Sequence, residues 1–194
     1  MTTRRRLAPD QRRTQLIGIG AELFAALPYD EVLMEDVATR AGVSRALLYR
    51  HFPGKRDLLA AVYQRAADDL LDATELDPDM PLAHQVAAGL DVHIDYFAAN
   101  RHTVLAANRT LAGDPVIQAI ITGELTELRK RVLVATGVTG HDRDVLEAIL
   151  TSWLTFVRVL CVEWLTGLDI DRTRLRDICL DALLGATRSI ELPA

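Results

Sequence analysis

Residues 33–58 read LMEDVATRAGVSRALLYRHFPGKRDL, and this stretch decides the fold. Apolar positions repeat at helical spacing over residues 34–40 and again over 45–51. Gly42 breaks the first run, and Ser44 offers a hydroxyl to the N–H groups that open the second. Pro53-Gly54 stops the second helix after two turns. Val37, Ala38 and Ala41 turn inward, and Val43, Leu48 and Phe52 complete a small core. Arg45, Ala46, Leu47, Tyr49, Arg50 and His51 are left pointing outward. They make a cationic, aromatic face on a helix narrow enough for the DNA major groove. Leu47 stands beside Leu48, and a two-turn helix cannot bury both. Leu47 is therefore expected outside, where an apolar group meets thymine methyls.

Outward from this stretch the whole chain reads as helix. Pro9-Asp10 opens a first helix whose stripe is Leu16, Gly20, Leu23 and Leu27, and Pro28 ends it. A further helix begins near Pro53-Gly54 and carries Leu58, Leu59, Val62, Ala66 and Leu70. Glu75 to Pro81, acidic and holding two prolines, is the best linker candidate. Helices are expected from Pro81, from Arg101 through Leu111, from Asp114-Pro115 to Thr136, from His141 to Thr166, and from Asp171 to about Arg188. The chain has 194 residues and a net charge of −5, but residues 1–60 are net +3 and residues 61–194 net −8. A mildly basic head thus sits on an acidic body, a split that the average conceals.

The segment Ala41-Gly42-Val43-Ser44, then Leu48-Tyr49-Arg50-His51-Phe52-Pro53, then Lys55 and Leu58, resembles the DNA-binding signature of the TetR family of bacterial transcriptional regulators. The likeness covers about Pro9 to Val62; the rest of the chain agrees only in helix count and order. The resemblance implies an all-α fold of about nine helices. Residues 1–54 would be a three-helix helix–turn–helix DNA-binding domain, and residues 55–194 a helical ligand-binding and dimerisation domain. It places Arg45, Ala46 and Leu47 nearest the base edges, with Ser44 capping their helix. Tyr49, His51 and Lys55 would bind phosphate, and Arg50 either base or phosphate. Two positions depart from the family pattern: Leu33 stands where Thr or Ser is common, and Glu35 where a basic residue is common. Arg4, Arg5 and Arg6 are either a solvated tail or an arm that orders on DNA.

The run from His141 is apolar nearly all round, so it needs burial on more than one side. One side can meet the body's own core and another a second copy. The resemblance implies a homodimer through the last two helices, which also suits a palindromic DNA operator. A largely apolar small-molecule effector is expected among the body helices, with His93, Asn100 and Arg109 orienting it and Phe97, Trp153, Phe156 and Val157 as walls. The implied function is a repressor, released from its operator by that effector.

Other readings find less support. The five histidines form no HExxH pattern, Asp91-x-His93 lacks a third metal ligand, and no phosphate-binding glycine loop occurs. No catalytic residue, metal or cofactor is therefore expected. Cys161 and Cys179 are expected as buried structural thiols in a reducing, cytoplasmic setting. No signal peptide is expected, since no apolar run follows the N-terminal arginines. No unbroken apolar stretch reaches membrane-spanning length. Two alternatives remain: a helical-bundle enzyme or carrier with an incidental helix–turn–helix, and an activator without a small-molecule ligand.

Overall fold

The computed structural model describes residues 8–74 and 80–190; Arg4, Arg5, Arg6 and most of the acidic linker lie outside them. Nine α-helices and no strand occur among the described residues. They are α1 (Pro9–Ala26), α2 (Met34–Ala41), α3 (Arg45–His51), α4 (Lys55–Ala73), α5 (Leu82–Ala99), α6 (Arg101–Leu105), α7 (Pro115–Thr136), α8 (Gly140–Thr166) and α9 (Arg172–Ala186). A 3₁₀ turn, Tyr29–Glu31, joins α1 to α2.

Helices α1 to α4 build the N-terminal core. Leu16, Leu23 and Phe24 of α1 pack on Val37 and Ala41 of α2, on Leu48 and Phe52, and on Leu58, Leu59 and Val62 of α4. The boundary expected at 54/55 thus coincides with the start of α4, yet the first half of α4 belongs to the N-terminal core. Gly20 explains how closely α1 approaches α4. A Cβ there would lie 3.2 Å from the Leu58 side chain, tighter than ordinary contact.

Local chemistry fixes the turn between α2 and α3. Gly42 takes φ 61° and ψ 42°, the left-handed region. Its N–H reaches Thr39 O at 3.1 Å, and Val43 N–H reaches Ala38 O at 3.0 Å. These two bonds close α2 in a Schellman motif. Ser44 then caps α3, its Oγ accepting from Leu47 N–H at 3.2 Å. Gly42→Ala is expected to cost about 1–2 kcal/mol, the penalty of a Cβ in the left-handed region. Urea unfolding of the two proteins measures it, and equal midpoints would show that the turn tolerates a side chain.

The body is a bundle of α5, α7, α8 and α9 packed against the second half of α4. Asp114 caps α7 through two backbone N–H bonds, at 3.0 and 3.1 Å, and Pro115 occupies the first helical position. Its other oxygen meets Arg56 Nε of α4 at 3.1 Å. By length and composition α8 is apolar enough to cross a membrane, although Ser, Thr and Arg interrupt its apolar residues. Here it is the central helix of the body. Leu146, Leu150, Trp153, Val157, Cys161 and Leu165 are buried among α5, α7 and α9. Trp153 Nε1–H donates to Cys179 O of α9 at 2.7 Å.

The step between α6 and α7 departs from regular helix. Ala106–Thr110 forms a π turn, with Leu111 N–H bonding Ala106 O at 2.8 Å. A turn one residue wider than an α-turn lets neighbouring residues face different partners. Ala106 joins the N-terminal core, while Ala107 packs with Ala60, Tyr63, Ile117 and Ile121. The expected single helix through Leu111 is therefore an α-helix of five residues followed by a π turn.

Candidate nucleic-acid interface and internal cavity

Helix α3 presents the expected outward face. Ser44, Arg45, Ala46, Tyr49 and Arg50 are exposed, Leu47 and His51 are half-buried, and Leu48 is fully buried beneath them. Tyr49 is 41% exposed, so its ring is surface rather than core. Arg45 pairs with Glu35 of α2 at 2.6 Å, and both side chains are more than half exposed. An exposed pair of this kind contributes about 1 kcal/mol or less, so a DNA phosphate or base edge can displace Glu35 cheaply. The acidic residue at position 35 thus holds Arg45 in the free protein without removing it from use.

Lys55 is more committed than the sequence suggests. Its Nζ donates to Tyr29 O at 2.7 Å and Asp30 O at 3.2 Å, and it lies 4.5 Å from the Tyr29 ring centroid. The ammonium ties the start of α4 to the 3₁₀ turn. Three donors on an ammonium, less two, leave one for a phosphate.

A cavity of about 220 Å³ lies in the body between α4, α5, α7 and α8. Its wall is mostly apolar, including Leu71, Val86, Leu90, Leu125, Leu128, Trp153 and Val157. Its polar wall residues include His93 and Glu124. Beside it runs a buried polar network centred on Arg158, which is 6% exposed. Arg158 Nε donates to Asn108 Oδ1 at 2.9 Å, Nη1 to Glu124 Oε2 at 3.4 Å, and Nη2 to the Tyr63 hydroxyl. Its guanidinium carbon lies 5.7 Å from the Phe97 ring centroid and 5.9 Å from that of Tyr63. One arginine thereby joins α8, α7, the π turn and α4.

This environment sets the charges. Burial raises the Glu124 carboxyl above its ordinary range, and the Arg158 guanidinium opposes that shift. Burial likewise raises the Tyr63 phenol. His93 packs against Phe97, the ring centroids 4.1 Å apart and the planes tilted by 36°. Burial lowers the His93 pKa from 6.5 to about 3, with Arg158 adding to the effect. Between those two values the unfolded chain binds a proton that the folded chain refuses, so stability falls as pH drops through that window. At pH 5 the loss from this group is about 2 kcal/mol. His93→Gln is expected to shrink the stability difference between pH 7 and pH 5 by that amount in urea titrations. An undiminished difference would mean that His93 is not the group responsible.

The structure brings together only part of the expected effector set. His93, Trp153 and Val157 line the cavity. Phe97 is buried behind His93 and contributes to packing. Asn100 ends α5, its Nδ2 donating to Tyr96 O at 3.0 Å. Arg109 is on the surface in an ion pair with Glu163 at 2.5 Å. Phe156 is 40% exposed on the far side of α8, in a surface hollow with Val145, Ile149, Ser152, Ala182 and Ala186. Adjacent residues on a helix point about 100° apart, so Phe156 and Val157 cannot share a wall.

Sequence reading missed Glu124, Tyr63 and Arg158. Arg158 had a visible signal, for it is the only charge between Glu147 and Glu163 on an otherwise apolar and hydroxyl-bearing run. Both thiols are buried, and burial pushes Cys161 up to about 12 and Cys179 up to about 11. Arg158, one turn before Cys161, opposes the shift without overcoming it.

Comparison with known proteins follows the same division of the chain. Residues 16–62 match the family described as "Bacterial regulatory proteins, tetR family". Over 66 residues, 34% of this chain and 30% of the relative, the sequence is 44% identical to the HTH-type transcriptional activator FasR of Mycolicibacterium smegmatis. It is 27% identical over 141 residues to the HTH-type transcriptional regulator RutR of Escherichia coli, covering 69% of this chain and 65% of RutR. The matched stretches thus span under two thirds of the length of either relative. A tetR-family transcriptional regulator from Streptomyces coelicolor superposes over 94% of this chain and 83% of its own, with a TM-score of 0.83 and 27% identity. The helix–turn–helix signature, the order of the nine helices and these likenesses agree: the chain belongs to the tetR family of bacterial regulatory proteins.

Proposed function

We propose that the chain is a DNA-binding transcriptional regulator that acts as a homodimer and responds to a small, mainly apolar effector. One observation carries the DNA-binding reading. The α3 face of Arg45, Tyr49 and Arg50 stands exposed, with His51 half-buried at its end, on a helix whose entry is fixed by the Gly42 turn and the Ser44 cap. Arg45, Ala46 and Leu47 read base edges, and Tyr49, His51 and the spare donor of Lys55 hold phosphates. Arg4 to Arg6 add an arm of phosphate or minor-groove contacts.

The pairing surface is the exposed apolar face of α8, Phe156 and Val159, continued by Ala182 and Ala186 of α9, which share a surface hollow with Phe156. Two copies joined there carry two α3 helices, which a palindrome with half-sites one turn apart can engage together. Effector response follows from the network beside the cavity. A ligand that shifts Glu124 moves Arg158, and Arg158 holds Tyr63 of α4. That helix follows α3 after only Phe52, Pro53 and Gly54, and its Arg56 also meets the cap of α7. Ligand binding therefore selects a different α4 position and a different spacing of the recognition helices.

Regulation is proposed as repression relieved by the effector. Activation is the second reading, favoured by the 44% likeness of the DNA-binding end to a protein named as an activator. Fluorescence anisotropy with DNA flanking its own gene tests the DNA-binding reading. Sequence-specific, salt-sensitive binding is expected, and binding no tighter than to random DNA would overturn it. A promoter fusion in cells lacking the protein fixes the sign: expression rises for a repressor and falls for an activator.

A further inference from the structure

Among the described residues four buried side-chain atoms lack a hydrogen-bond partner, and two of them, Glu124 Oε1 and His93 Nε2, belong to residues lining the body cavity. Glu124 is 4% exposed. Its Oε2 faces the Arg158 guanidinium, and its Oε1 is left with no donor. A buried acceptor without a donor is costly, and in native proteins such an atom calls for a partner from outside the chain.

The geometry points to a neutral, single-ring-sized alcohol or phenol as the occupant, its hydroxyl donating to Glu124 Oε1. This assignment rests on the effector-binding reading above. Three observations select the chemistry. First, size: a cavity of about 150 Å³ is enough for benzene, so about 220 Å³ suits one ring with a short substituent. Second, charge: Glu124 and Arg158, which lies behind the wall, already neutralise one another, and the wall's own arginine, Arg131, is bonded to Leu71 O and Glu127. An anionic ligand meets the bare carboxylate oxygen, and a cationic one sets an uncompensated charge beside Arg158. Third, hydrogen-bond matching: a hydroxyl both donates and accepts, so it serves Glu124 Oε1 and, with the Nε2–H tautomer, His93. The apolar wall takes the ring.

Isothermal titration calorimetry on the full chain without DNA tests this with 4-ethylphenol, its methyl ether 4-ethylanisole, and 4-ethylbenzoate. The phenol is expected to bind about 10-fold or more tightly than the ether, because a hydrogen bond to a buried charged acceptor is lost on methylation. No binding of the benzoate is expected. In Glu124→Gln the amide oxygen turns to Arg158 and its NH₂ faces the cavity, so the phenol's advantage falls to within about threefold. Equal affinities for phenol and ether in the unmodified protein, preferred binding of the benzoate, or no binding of any probe would overturn the assignment. Those comparisons decide it even where the variant fails to fold. Phenol binding that leaves DNA affinity unchanged supports the site assignment while removing effector control of DNA binding.

Discussion

Arg158→Leu is expected to lower the folding free energy by about 3–5 kcal/mol, the cost of breaking a buried ion pair from one side. The variant leaves Glu124 buried without its counter-ion, and it strips Asn108 and the Tyr63 hydroxyl of their shared partner. For a domain of this length that is a fall in Tm of about 10 °C. The control is the double variant, Arg158→Leu with Glu124→Leu. Replacing a whole buried pair by apolar residues is often neutral, so most of the loss should return. Calorimetric melting of the three proteins separates the causes. A double variant as unstable as the single one would assign the loss to packing rather than to charge. If the double variant is stable, it is also expected to weaken the coupling between cavity and DNA, since the link from Glu124 through Arg158 to Tyr63 of α4 would then be gone.

Charging the exposed face of α8 is expected to reduce operator affinity by about 100-fold or more. Phe156→Glu with Val159→Glu places two carboxylates on one apolar surface. Two-fold pairing then brings four carboxylates into one interface. Monomers follow, and with them goes the gain from binding two half-sites at once, which is typically 10²- to 10⁴-fold. Analytical ultracentrifugation reads the oligomer and anisotropy reads the affinity. Neither residue lies near α3 or the cavity, so thermal stability of the monomer should change little. A variant that still sediments as a dimer would relocate the interface. One that becomes monomeric yet binds DNA as before would show that pairing is not what supplies affinity.

The sequence made the ends of elements more legible than the contents of the body. Gly42, Ser44, Pro53, Asp114-Pro115 and Asp171 are caps and stops whose chemistry acts within three or four residues. The structure places helix boundaries beside all of them. The exposed face of α3 was equally readable, because a two-turn helix with Leu48 inward leaves little choice. The cavity was not. Its walls come from four helices far apart in sequence, and whether a side chain faces it depends on how those helices rotate against each other. His93, Trp153 and Val157 lay on the right side, while Phe156, one position before Val157, lay on the other. Glu124 and Tyr63 carried no local mark of burial. Only contact with Arg158 makes them a set.

The π turn at Ala106–Thr110 has a consequence for how such a regulator can be retuned over evolutionary time. A wide turn is what one surplus residue leaves inside a helix. Deleting Ala107 would restore ordinary pitch and turn the side chains within the turn around the axis, Asn108 taking the place of Ala107. Asn108 would leave Arg158, and the small residues facing α1 and α4 would trade places with their neighbours. A change of length by one residue therefore alters the contacts of several residues in concert, where a substitution at Ala106 or Ala107 alters those of one side chain. Relatives with a different effector response would carry their difference here as a gap rather than as a changed letter.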